Sequence, residues 1–300
     1  MPASVKRISP RQRSMIGTAV LFLIPAFAVL GVFMFYSIYE SFHLSFFDWN
    51  GVTVDKPYVG FGNWKTLASD ARFWQALLNN FKVVILSIVI QLPIGMVLAF
   101  FLDTVGKKAN VFKVVWFLPL LMSSVAIGFL FKYVFDPVFG LVSSIAAWFG
   151  GGNVDLLGNP KIALFAVIMV ICWQFIPFYM VYFLAGLSSL PLEVYEASII
   201  DGATRARYFF AIALPMLRNT GINAIILSMV GSLKYFDLIY VMTEGGPSGS
   251  TELMATYMFK NAFNTMKMGY GSTIASAMFL IITLTSLLTL KMMRQGGERG

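Results

Sequence analysis

Six stretches of about 20 or more mostly apolar residues, at about 15–39, 81–102, 111–135, 162–186, 220–242 and 272–292, leave this chain few ways to fold. A helix of about 20 such residues crosses the hydrocarbon core of a bilayer. Within that core every backbone polar group must be satisfied internally. Only 12% of the residues are charged and 58% are hydrophobic, whereas soluble domains carry about 25% charged residues. The expected class is therefore an all-α integral membrane protein with six transmembrane helices, and a large soluble core is excluded. Pro25, Pro177 and Lys234 interrupt spans one, four and five.

Orientation follows from the connecting segments. Lys6, Arg7, Arg11 and Arg13 precede span one, and Lys107, Lys108 and Lys113 lie around the second connection. Arg205, Arg207 and Arg218 lie between spans four and five, and Lys291, Arg294 and Arg299 close the chain. With six spans all of these fall on one side, and Lys and Arg concentrate on the cytoplasmic side. The expected plan is a basic cytoplasmic tail at 1–14, a six-span transmembrane domain at 15–292 and a cytoplasmic tail at 293–300. Both termini are then cytoplasmic, in the cell membrane of a prokaryote. The net charge of +8 reflects these segments rather than nucleic-acid binding. The apolar run after the basic start is too long for a cleaved signal. The lone Cys172 allows no intrachain disulfide.

The remaining segments differ in kind. Segment 40–80 is long, aromatic and polar, which fits an interfacial aromatic belt and equally a docking surface for an outer partner. Segment 243–271 opens TEGGPSGST, dense in turn residues. Segment 187–218 contains the piece that no bilayer would accept, since Glu193, Glu196, Asp201, Arg205, Arg207 and Arg218 would each cost about 2.5–3.5 kcal/mol at the membrane centre. Val194, Tyr195, Ile199 and Ile200 nevertheless give it an apolar side. The expectation is a short amphipathic helix, a break at Gly202, and a second helical run closed by Leu214-Pro215, with something outside the membrane held against it.

Signals for catalysis are poor. GGPSGST has the composition of a phosphate-cradling loop, but no Gly-Lys-Ser/Thr follows it. His43, the sole histidine, has no acidic or Cys partner at ligand spacing, so no metal site is expected. No catalytic constellation stands inside the spans, so transport driven by nucleotide would borrow an ATPase from another chain. Intramembrane polar residues are costly and face a bundle interior or a cavity. Trp173, Gln174 and Phe178 surround Pro177, whose ring clashes with the carbonyl four residues back. A kink there can hold a hydroxylated solute by stacking and hydrogen bonding, or can serve packing, with Gln174 bonded to a neighbouring helix. Ser228 and Ser232 share a helix face, as solute contacts or as small residues between helices. Lys234 and Asp237 pair with each other, or Lys234 snorkels outward; with Tyr235 between them they mark an aqueous vestibule.

The charged stretch resembles the loop of permease subunits of binding-protein-dependent ABC importers: Glu-Ala-Ala, three residues, Gly, nine residues, Ile, one residue, Leu-Pro. Here it reads Glu196-Ala197-Ser198, Gly202, Ile212 and Leu214-Pro215, with every gap matched and Ser198 in place of Ala. Asp201 and Ala203 flank the glycine as in the family. The stretches VGFGNWKTLASDARFWQALLNN, WQFIPFYM, FDLIYVMTEGGPSGST, ATYMFKNAF and GYGSTIASA are similar to the carbohydrate-uptake branch, related to the maltose transporter. The resemblance implies a non-catalytic subunit forming half of the passage for a sugar or oligosaccharide. It implies a second, similar permease, two ATP-binding subunits that carry the ATP and Mg, and an extracellular solute-binding protein. It makes 193–203 a coupling helix on the ATPase, with an apolar edge of Val194, Tyr195 and Ile199 and with Glu196 as charged anchor. It places the passage along spans four and five, at Trp173, Gln174, Phe178, Ser228, Ser232, Tyr235 and Asp237. Glycerol phosphate or another small polar solute is the alternative cargo, and a membrane-embedded enzyme or channel the alternative class.

Overall fold

A computed structural model describes residues 10–106 and 110–295 of the chain; Lys6, Arg7, Lys107, Lys108 and Arg299 of the orientation argument lie outside the described residues. All named elements are helical. They are α1 (Pro10–Leu30), a π-helical turn at Gly31–Tyr36, α2 (Ser37–Leu44), α3 (Gly62–Ser69), α4 (Ala71–Val105), α5 (Asn110–Leu121), α6 (Ser124–Val134) and α7 (Leu141–Trp148). There follow α8 (Ala163–Ser188), α9 (Leu192–Ile200), α10 (Arg205–Tyr208), a π-helical turn at Phe209–Ala213, α11 (Leu214–Met216) and α12 (Arg218–Leu233). The chain closes with α13 (Asp237–Thr243), α14 (Met254–Phe259), a π-helical turn at Lys260–Asn264 and α15 (Met268–Gln295).

Among the described residues four helices are long and apolar enough to cross a membrane: Leu21–Leu44, Ala71–Val105, Ala163–Ser188 and Met268–Lys291. Two bent pairs bring the number to six if each counts as one span: Val111–Leu121 with Ser124–Val134, bent by 94°, and Arg205–Met216 with Arg218–Leu233, bent by 69°. The third span is thus not the straight helix expected for 111–135. Pro119 lies in the last turn of α5, and Ser123 adopts an extended backbone (ψ 132°) that redirects the chain. The fifth span is not one helix over 220–242 either. It stops at Leu233, and α13 starts again after Phe236. The carbonyls of Ser232 and Leu233 at that break accept 3.1 and 3.0 Å hydrogen bonds from the buried Asn80 side chain, Ser232 also from the Tyr235 amide at 3.4 Å.

The centre of the bundle is α4 against α8, the most extensively packed pair. Gly95 makes that approach possible, since a Cβ there would lie 2.8 Å from the Tyr179 Cβ and 3.0 Å from the Met180 backbone nitrogen. Val83, Val167, Ile168, Ile171, Leu238 and Ile239 form one core beneath α13, and Leu92, Tyr179, Phe183, Tyr208 and Leu217 another toward α9. Lipid-facing side chains remain exposed, among them Phe22 and Phe33 of the first span.

Segment 40–80 proves less of a loop than its composition suggests. Helix extends to Leu44, so Glu40 and His43 lie in α2, with the His43 ring 4.9 Å from Phe47 and its Nδ1 3.7 Å from the Glu40 carboxylate. The segment is stitched by the Asn63 amide, which donates to the carbonyls of Ser45 (3.0 Å) and Phe47 (2.9 Å). Asp70 caps α4 by accepting from the Arg72 and Phe73 amides. Its other oxygen accepts from the Tyr257 hydroxyl at 2.6 Å and from the Tyr270 hydroxyl, tying this segment to 243–271.

Candidate functional site

The charged stretch forms the short helix expected of it. Pro191 stands at the N-cap of α9 and the helix ends at Asp201. Beyond it, the Gly202 amide donates to the Ile199 carbonyl and the Ala203 amide to the Ser198 carbonyl, both at 2.9 Å. With Gly202 at φ +74° this is a Schellman ending, which favours glycine because a Cβ is costly in that conformation. Nothing lies within 4 Å of a Cβ built at Gly202. No close approach within the chain calls for this glycine; the backbone angle alone does. Thr204 then caps α10, accepting from the Arg207 amide at 3.3 Å.

The two faces of α9 are distributed differently from the expectation. Tyr195 turns inward onto the Tyr208 ring, 5.0 Å between centroids, and Ser198 is buried with its hydroxyl donating to the Tyr195 carbonyl at 2.7 Å. Val194 is half-buried. The outward apolar edge is instead Leu192, Ile199 and Ile200, which are 64%, 53% and 86% exposed, beside exposed Glu196, Ala197 and Asp201. The inward edge matches the core it caps, where Ile212 packs; Leu214 and Pro215 stay exposed and Ala203 is half-buried. Arg205 Nη1 lies 3.5 Å from the Thr104 carbonyl, bracing the stretch on the end of α4.

A cavity of about 390 Å³ opens in the middle of the bundle between α4, α8, α12 and the break before α13. Five of the expected passage residues line it: Phe178, Ser228, Ser232, Tyr235 and Asp237. Trp173 and Gln174 do not. Trp173 packs edge-on against Phe131 at 5.3 Å, and Gln174, buried, donates to the Ser124 hydroxyl at 3.2 Å. Gln174 thus anchors the start of α6, just past the right-angle bend, which is the packing alternative for that residue. Lys234 and Asp237 both line the cavity without forming an ion pair with each other.

The cavity also takes in residues that the sequence reading passed over: Gln91, Phe175 and Tyr179. Gln91 is a polar residue in the middle of an apolar run, and that intramembrane cost is the signal that could have found it. The Tyr235 hydroxyl, buried, has no hydrogen-bond partner among the described residues. Phe178 stands edge-on to Tyr179 (5.1 Å), and Phe175 edge-on to Tyr235 (6.1 Å). Aromatic rings beside hydroxyls and one amide suit a polyhydroxylated solute, whose C–H faces stack and whose hydroxyls exchange hydrogen bonds. Among the described residues no group of three or more His, Cys, Asp or Glu is placed to hold a metal.

Residues 91–294 match the family described as binding-protein-dependent transport system inner membrane component. A putative ABC transporter permease protein of Caldicellulosiruptor sp. is 65% identical over 129 residues, 43% of this chain and 92% of that one. A multiple sugar-binding transport system permease protein of Streptococcus mutans is 30% identical over 277 residues, 91% of this chain and 94% of that one. Among solved structures, a bacterial ABC transporter involved in the import of the acidic polysaccharide alginate superposes with a TM-score of 0.80 at 22% identity, covering 95% of this chain and 96% of that one.

Proposed function

The chain belongs to the binding-protein-dependent transport system inner membrane components, and from that membership we propose that it forms half of the passage for a sugar or oligosaccharide in an ATP-driven importer. The observation that carries the reading is α9. It is too charged for lipid, it ends at Gly202 in the matched spacing, and it leaves Leu192, Ile199 and Ile200 uncovered. An apolar edge beside Glu196 is what a docking helix needs: contact area plus a charged anchor. In this reading α9 seats on one of two ATP-binding subunits, which hold the ATP and Mg, and the chain itself catalyses nothing. Both termini and α9 face the cytoplasm, while 45–69 and 243–267 face outward, toward a solute-binding protein. A second, similar permease completes the passage, and the 390 Å³ cavity is this chain's share of it. Sugar as cargo is supported by the likeness to the multiple sugar-binding transport system permease protein of Streptococcus mutans and by the aromatic and hydroxyl lining.

The exposed edge can be tested without touching the fold. Ile199→Asp combined with Ile200→Asp should lower co-purification of the ATP-binding subunit at least tenfold, while the chain stays in the membrane at normal abundance. Full retention of that subunit by the double variant would remove α9 from the interface.

A further inference from the structure

Asn79 and Asn80, a little over two turns into α4 from its start at Ala71, are both fully buried, and their amides bind two different parts of the chain. The Asn80 amide donates to the Ser232 and Leu233 carbonyls at the end of α12, and its Oδ1 accepts from the Met254 amide at 2.9 Å. The Asn79 amide donates to the Ser250 and Glu252 carbonyls, each at 3.0 Å. The first set fixes the break that forms one wall of the central cavity, since Ser232, Lys234, Tyr235 and Asp237 line it. The second fixes the loop whose Ser248, Gly249 and Glu252 wall a separate polar pocket of about 890 Å³ on the outer face, opposite Arg72 and Gln75 of α4. The two sites are thus held from consecutive residues of one rigid helix.

We propose that Asn79 and Asn80 form a latch through which the outer loop 244–254 sets the geometry of the cavity wall, with Asn80 the positioning residue for the break in the fifth span. A helix interrupted at Leu233 must have its free carbonyls satisfied inside the membrane region. The Asn80 amide supplies the donor to the Leu233 carbonyl from outside α12 and joins the Tyr235 amide (3.4 Å) on the Ser232 carbonyl, so the wall's position follows α4 and the loop rather than α12 alone. A displacement of the loop at Ser250–Met254 would be passed to residues 232–237 through a single amide group. This rests on reading the cavity as the solute passage, but its test measures geometry and needs no transport.

Gly231 lines the cavity and has open space for a Cβ; Gly221, near the other end of α12, has the same space. The native Cys172 is buried. Full-length chains carrying Gly231→Cys or Gly221→Cys, in membrane vesicles, are labelled with a cationic methanethiosulfonate, with and without Asn80→Asp. The Asp retains the acceptor for the Met254 amide and loses the donors to Ser232 and Leu233. The expected result is a change of at least tenfold in labelling rate at position 231 and less than twofold at 221. Rates at 231 within twofold, or equal changes at both sites, would overturn the latch. Should Asn80→Asp fail to accumulate, hydrogen exchange of the unmodified chain decides. The Met254 amide must exchange at least a hundredfold slower than an unprotected amide, and unprotected exchange there would overturn the proposal.

Discussion

Gln174 and Phe178 lie one turn apart on α8 and serve different neighbours. Gln174 bonds Ser124 at the bend of the third span, and Phe178 faces the cavity. Hydrogen bonds between membrane helices contribute about 0.6 kcal/mol on average and up to about 1.7 kcal/mol. Gln174→Ala should therefore lower the thermal midpoint of the purified chain modestly and leave the solute KM unchanged. Phe178→Ala should raise KM about tenfold, a loss of about 1.4 kcal/mol of binding, with normal membrane abundance. Uptake kinetics beside quantitative immunoblotting separate the two, and a raised KM in Gln174→Ala would return that residue to the cavity. The sequence reading grouped both residues because periodicity marks which residues share a helix face but not toward which neighbour that face is turned. The same limit hid Asn79, Asn80 and Gln91, polar residues whose partners lie 80 to 170 positions away or more.

At the scale of elements, the apolar runs announced the crossings but not their bends. A run is equally apolar whether straight or turned through 94° at Ser123, and the re-entry at α13 depends on an Asn80 bond that no local pattern encodes. The short helix α9 was legible because its capping chemistry is local: Pro191 opens it, and Gly202 closes it at φ +74°. Which of its apolar residues point outward was not, since that depends on Tyr208 arriving from the next element. At the N-terminal end of α4, the brace at Asp70 is pH-sensitive. Burial alone would raise its carboxyl, but the hydroxyls of Tyr257 and Tyr270 and the Arg72 and Phe73 amides outweigh burial and hold it below its ordinary value of 3.8. A depressed carboxyl stabilises the fold above its unfolded pKa, and that contribution is lost as pH falls through the lower folded value. Tyr257 is pushed up to about 12 by burial and by Asp70. Its share is present below its ordinary value of 10 and is lost as pH rises toward 12. Hydrogen exchange over 254–271 should thus be slow and nearly flat from about pH 5 to 9 after correction for intrinsic rates, and faster below about pH 4. Asp70→Asn should remove the acid limb; an acid limb that persisted unchanged would assign it to another group.

At the scale of the whole molecule, counting each bent pair among the described residues as one span gives six crossings, four straight and two bent, and on that count α9 lies on the side opposite the Asp70 brace and the 890 Å³ pocket. The cavity lies between them, walled by α8, which leads directly into α9, and by the end of α12, which follows it. Movement imposed on α9 can therefore reach one wall through the three-residue link 189–191 to α8 and the other through the short helical segments of 205–217 before α12, while the Asn79–Asn80 latch holds the wall from the opposite end. We propose that the 192–215 stretch joins an ATPase to this passage. The most direct measurement is ATP-driven uptake, in proteoliposomes, of the saccharide that the solute-binding protein carries, comparing the unmodified complex with Gly202→Asp. Uptake should fall at least tenfold with the chain still inserted, and Gly202→Asp combined with Gly231→Cys should still be labelled at position 231. Normal ATP-driven uptake by Gly202→Asp would contradict it.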